Sequence, residues 1–221
     1  MKRIILSALV AVFSLCANAQ YEAEEGDIAV EVGFNPFSNS FNTIKLNGGS
    51  INARYFFNDK NAARVNLGFG YSSSSDKIEK KDVSKYSGSF SIDLGIENHF
   101  ASVGRLDLYA GGQLGIETTF GGAKLGDTEI SGVCLGTGWS MGDSNYDNCS
   151  TIFSLSAFTG ANFFIYKKLY VGAEFGLSFT RRATKDYEVK YENKTEKHET
   201  NWSNSSIGFY SEPALHLGWV F

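Results

Sequence analysis

Three histidines, two late cysteines and a scatter of carboxylates are the residues of this chain that could carry chemistry. His99 stands three positions before Ser102, the simplest base and nucleophile pair the sequence offers. No oxyanion-hole signature accompanies it. His198 and His216 have no second ligand at metal-binding spacing, so neither a metal nor any other cofactor is expected. Cys134 and Cys149 form an even pair once Cys16 is assigned to the leader, and a disulfide closing about fifteen residues is worth ~3 kcal/mol in the loop-entropy model. Such a staple would preserve a recognition shape or resist proteolysis.

The carboxylates follow a pattern. Glu31, Asp93, Glu97, Asp107, Glu117, Glu174 and Glu212 stand at alternate positions of segments whose intervening residues are apolar. Arg54, Arg64 and His216 share their parity. Period-two alternation is the signature of strands with one buried face. Ile28, Val30, Val32 and Phe34 oppose Ala29, Glu31 and Gly33; Ile51, Ala53, Tyr55 and Phe57 oppose Asn52 and Arg54, with Phe56 the exception. Similar segments recur at about 63–71, 90–97, 106–117, 153–165, 171–179 and 207–221, with Phe158 and Phe164 less polar than their parity predicts. Eight strands are therefore expected. The composition agrees, with 24 Gly, only 2 Pro, 18 Phe and 11 Tyr in 221 residues, a usage that favours strands over helices. The net charge of −4 gives no support to nucleic-acid binding.

Residues 1–19 read as an export signal. Lys2 and Arg3 precede an apolar run from Ile4 to Leu15, and Ala17-Asn18-Ala19 supplies the small-x-small cleavage pattern, so the mature domain is expected over 20–221. The apolar run is shorter than the ~20 residues of a membrane-spanning helix. Lipid attachment through Cys16 would need a small residue before it, where Leu15 stands.

Alternation alone fits a soluble barrel or a membrane one, and the polar face decides between them. Strand glycines, Gly33, Gly68, Gly70 and Gly95 among them, lie with the charges, Gly112 being the exception. Small residues beside long polar ones suit a crowded interior, which leaves the bulky apolar face for lipid. Connection lengths point the same way: short links at 58–61, 101–105 and 166–168 alternate with long polar ones at about 38–48, 72–88, 121–150 and 181–206.

With these features the chain resembles the small eight-stranded outer-membrane barrels of the OmpA and OmpX kind, across essentially all of 20–221. The terminal run Leu215, Leu217, Trp219, Phe221 resembles the aromatic signal read by the barrel-assembly machinery. The resemblance implies an all-β, antiparallel, up-and-down transmembrane barrel of eight strands, a monomer in a Gram-negative outer membrane, with termini periplasmic and long loops outside. The chain stops at that run, so the peptidoglycan-binding domain of OmpA is not implied. Aromatic girdles would take Tyr55, Phe57, Tyr71, Phe120, Trp219 and Phe221.

The polar interior reads as a salt-bridge and hydrogen-bond network, since eight strands leave a lumen just wide enough for side chains. Arg181 and Arg182 sit where the seventh strand leaves the bilayer, suited to lipopolysaccharide phosphates or to interfacial anchoring. In the last long connection, Tyr187, Val189 and Tyr191 alternate with Glu188 and Lys190, so strand structure is expected beyond the membrane. Trp139, Tyr146 and Trp202 add aromatic contacts to the loops. The expected function is a structural envelope component that presents loops for adhesion or recognition of an unidentified surface ligand. A narrow channel for small solutes or cations is the alternative. A lipid A-modifying enzyme is the minor one, and the His-x-Ser-Asn run of the lipid A deacylase family is absent.

Overall fold

The computed structural model describes residues 23–34, 46–78, 81–134, 147–191, 194–200 and 202–221, and the side chains of all of these except 34, 46–50, 76–82, 125, 147 and 210–214. The export signal, residues 38–45 of the first long connection, Trp139 and Tyr146 lie outside the described residues.

Eight long strands form the wall: β1 (Ile28–Phe34), β2 (Leu46–Asn58), β3 (Asn61–Ile78), β4 (Lys81–Val103), β5 (Leu106–Leu125), β9 (Ser150–Tyr166), β10 (Leu169–Thr184) and β13 (Ser203–Val220). Each pairs antiparallel with its neighbour in that order, and β1 pairs back onto β13, so the pairings form a ring. A ring satisfies the backbone of every wall strand internally, which is the condition for burying a sheet in an apolar medium. Short strands β6 (Thr128–Ser131), β7 (Val133–Cys134), β8 (Asp147–Asn148), β11 (Tyr187–Tyr191) and β12 (Lys194–His198) stand beyond one end of the ring. No helix occurs among the described residues.

The expected parity is observed. Most large outward residues are exposed, from 36% at Val32 to 83% at Phe209, with Val65, Ile92, Phe163 and Val171 half-buried, whereas Glu31 and Arg54 on the opposite parity are 1% exposed. The outer surface is thus apolar and the charges are enclosed. Short turns join the wall strands at one end, where Gly104 adopts φ 63° and Lys167 φ 42°, values that tight two-residue hairpin turns call for. Tyr55, Phe57, Trp219 and Phe221 are exposed near this turn end, together with Phe100 and Tyr166; Tyr71 and Phe120 are exposed near the other, the loop end.

One expectation needs correction. Residues 72–88 are not a loop: β3 and β4 stay paired from Ser72 opposite Ser87 up to Ile78 opposite Lys81. The polar run breaks the apolar alternation, but a ladder needs only backbone partners, and this stretch contains no proline to remove one. Loss of alternation marks where the apolar surroundings end, not where the strand ends.

Candidate functional site

Inside the ring the charges form a string. Arg54 lies 2.9 Å from Glu31 and 3.2 Å from Glu97, while Arg64 lies 3.1 Å from the same Glu97 oxygen and 2.8 Å from Glu174. Acid and base therefore alternate as Glu31, Arg54, Glu97, Arg64, Glu174. A tyrosine closes each end, Tyr170 donating to Glu31 at 2.6 Å and Tyr109 donating to Glu174 at 3.1 Å. Asn52 donates a further bond to Glu31 at 2.8 Å. The guanidiniums also stack, Arg54 over Tyr109 at 4.5 Å and Arg64 over Phe158 at 4.4 Å. Buried charges are tolerable only when opposite charge is close, and every member of the string has it; Glu31 and Glu174 accept hydrogen bonds as well, whereas Arg54 and Glu97 are held by charge proximity alone.

Register explains why the rings fit. Tyr109 is directly opposite Gly160, Phe158 opposite Gly111 and Tyr170 opposite Gly218 on the adjacent strand. Each ring lies over the place a β-carbon would occupy: Tyr109 over Gly160, Tyr170 over Gly218, and Phe158 2.6 Å from the position above Gly111. An aromatic ring laid across a facing glycine fills a narrow lumen without pushing the wall outward. Phe56, Phe158 and Phe164, buried among these rings, were the irregularities of the sequence pattern. They are its packing.

Towards the turn end His99 donates through Nδ1 to Asp107 at 2.8 Å, and its Nε2 lies 3.4 Å from Glu97. Both ring nitrogens thus lie near carboxylates, and His99 shares the lining of a turn-end cavity with Ser102. Asn162 donates to Asp107 at 3.2 Å and its oxygen meets His216 Nε2 at 3.0 Å. Below them Ala29, Phe56, Ala62, Phe164, Tyr170 and Val220 pack into an apolar floor. Beside this packed floor a cavity of about 450 Å³ opens at the turn end, lined by Phe56, Lys60, His99, Ser102, Asp107 and Phe164.

Of the expected lumen set, Glu31, Arg54, Arg64, Glu97 and Glu174 form the string, and Asp107 and His216 join the layer of His99 and Asn162. Asp93 and Glu117 stand apart, nearer the loop end. Glu212 is in β13, but its side chain lies outside the described residues. The expected network did not include His99, Tyr109, Phe158 and Tyr170, although all four share the parity of the lumen-facing residues of their strands, which was a usable signal. Arg181 and Arg182 do not act alike. Arg181 has the outward parity of Phe179, whereas Arg182 lines cavities inside the ring, so a shared role on lipid phosphates does not hold.

Above the string the lumen is polar. One ladder row runs Asp93, Gly115, Ser154, Thr180, Ser206 across five strands, and the next runs Ser91, Glu117, Ile152, Arg182, Asn204. Together they bound a cavity of about 480 Å³. A second cavity of about 470 Å³ shares Glu117 and Arg182 and reaches Cys134 and Asn148.

Those last residues belong to a cap. Cys134 and Cys149 are joined as a disulfide. β5 continues into β6, β6 pairs with β11 through Ile130 opposite Val189, and β11 pairs with β12. The third and fourth long connections therefore share one sheet. Lys185 strengthens the joint, its amide donating to Cys149 O at 2.7 Å and its ammonium to Thr119 O at 2.9 Å. Asn148 donates to Thr200 at 2.9 Å. Val133, Cys149 and Val189 are buried there, so the cap has apolar interior of its own.

Sequence comparison matches residues 5–195 to a family described as outer membrane protein beta-barrel domain, leaving β13 beyond the matched stretch. No curated protein matches. Among solved structures, the chain is similar to the crystal structure of Ail, the attachment invasion locus protein of Yersinia pestis, at 14% identity and TM-score 0.36, covering 89% of this chain and 99% of that one. The backbone structure of the same Yersinia pestis protein in a phospholipid bilayer nanodisc gives 15% identity and TM-score 0.33, covering 89% and 100%.

Proposed function

The chain belongs to the outer membrane β-barrel family, and from that premise we propose that it is a rigid scaffold presenting one stapled recognition cap at the surface of a Gram-negative cell. In this reading the short turns and both termini face the periplasm and the cap faces outward. The carrying observation is the pairing of β6 with β11 beside the Cys134–Cys149 bridge, which makes one preorganised surface out of two connections. Preorganisation lowers the entropic cost of binding a partner. The buried charge string and the rings laid across the lumen beside it support a scaffold over a pore. Catalysis is not part of the proposal. The barrel acts as a monomer, is inserted by the barrel-assembly machinery through Leu217, Trp219 and Phe221, and meets lipopolysaccharide on its outer wall, where Arg181 suits a phosphate.

Capture from intact cells and host surfaces tests the proposal, using wild type, a deletion of 187–198 and the Cys134→Ser/Cys149→Ser variant. Loss of a captured ligand in both variants is expected, with each barrel still shifting mobility on heating as folded barrels do. Unchanged capture would overturn the cap's role. Solute conductance without any surface ligand would favour the channel.

A further inference from the structure

The cavity above the charge string is lined mainly by hydroxyls and charges, with Ile152 between Glu117 and Arg182, so its natural occupant is largely hydrophilic, and its volume of about 480 Å³ lies in the range of small-molecule sites. Its charges are sorted by position. Asp93 on β4 and Glu117 on β5 hold one side, and Arg182 on β10 holds the other, with β9 between. Glu117 and Arg182 share one ladder row two strands apart, about 10 Å between backbones. Among the described residues neither makes an ion pair or a hydrogen bond, and Asp93 makes none either. This contrasts with the string beneath, where every acid has a base or a tyrosine within 3.1 Å.

We propose that this vestibule binds a small zwitterion of the α-amino acid to dipeptide class, its ammonium group held by Asp93 and Glu117 and its carboxylate by Arg182. A guanidinium forks onto a carboxylate, and two carboxylates share the donors of one ammonium. Ser154, Thr180 and Asn204 supply neutral hydrogen-bonding groups along the same two rows. Gly115 leaves room for the acidic side, since Asp93 and Ser154 overlie the place its β-carbon would take. The occupant has no exit downward, where the charge string and aromatic rings close the lumen. Above, the adjoining cavity reaches Cys134 and Asn148, so the stapled cap forms part of the roof.

The test titrates the full folded barrel in lipid nanodiscs with L-alanine and alanylalanine, and with ethylamine and propionate as single-charge probes. Saturable binding of a zwitterion is expected, weakened at least tenfold by Glu117→Gln and by Arg182→Gln separately. Ethylamine should bind more weakly and ignore Arg182→Gln; Arg181→Gln, on the outer wall, should leave every probe unaffected. Heat-dependent mobility on gels confirms that each variant is folded. Absence of saturable binding overturns the proposal. So does zwitterion binding indifferent to Arg182→Gln, which would mark a cation site. Cap-dependent capture of a surface ligand is measured separately, so either result stands without the other.

Discussion

Arg54 is enclosed by Glu31, Glu97 and the ring of Tyr109, and only 1% of it is exposed. Arg54→Met would leave Glu31 with Tyr170, Asn52 and the more distant His216, and Glu97 with Arg64 and His99. Breaking a buried pair from one side costs about 3–5 kcal/mol. The expected outcome is a lower midpoint in urea unfolding of the reconstituted barrel; a midpoint equal to wild type would mean that the string contributes nothing. Gly218 tests the ring packing independently. A β-carbon there meets Tyr170, so Gly218→Ala displaces the ring and its bond to Glu31, for a loss of about 1–3 kcal/mol. Gly33→Ala is the control, because nothing lies within 4 Å of the added carbon.

At the scale of elements, the cap depends on contacts between segments that are remote in sequence. Asp186, in the link between β10 and β11, accepts the Thr200 amide at 3.0 Å and pairs with Lys197 at 3.2 Å. That amide and the ammonium hold its carboxyl below the usual carboxylate range. A depressed carboxylate stabilises the fold only while ionised, so its contribution is complete above the ordinary carboxylate pKa and is lost as pH falls through the lowered one. Hydrogen exchange at the Thr200 amide should therefore speed up, relative to its intrinsic rate, across that acidic window. Asp186→Asn should remove the transition; an identical profile in the variant would show that another group controls the hairpin. Residues 121–150 and 181–206 were legible as long connections, and Tyr187–Tyr191 as a strand, because alternation survives there. The pairing of β6 with β11 was not legible, since a short polar strand carries no mark of its partner.

For the molecule as a whole, the ring is closed where its ends meet. The Phe221 amide donates to Ile28 O at 2.8 Å and Val220 to Lys168 O at 3.0 Å, while the Phe221 side chain faces outward. Deleting Phe221 removes a lipid-facing aromatic and the last bond of the β1–β13 seam. Assembly should suffer, read as a smaller fraction of heat-modifiable barrel in isolated membranes, whereas substitutions in the 187–198 hairpin leave that fraction unchanged. Full assembly of the deleted chain would refute a role for the terminal residue.

Period-two alternation by itself determined that there are eight wall strands, which face each residue takes, and that Glu31, Arg54, Arg64, Glu97 and Glu174 share the interior. These follow from pleat geometry, which is local: neighbours in sequence alternate sides whatever the strand pairs with. Only the tertiary structure decided which acid meets which base, which ring crosses which glycine, and that two connections merge into one cap. Those outcomes depend on the stagger between strands up to 139 positions apart, as in the bond from Tyr170 to Glu31. Stagger is set by the closure of the ring, a condition on all eight strands together that no single segment encodes.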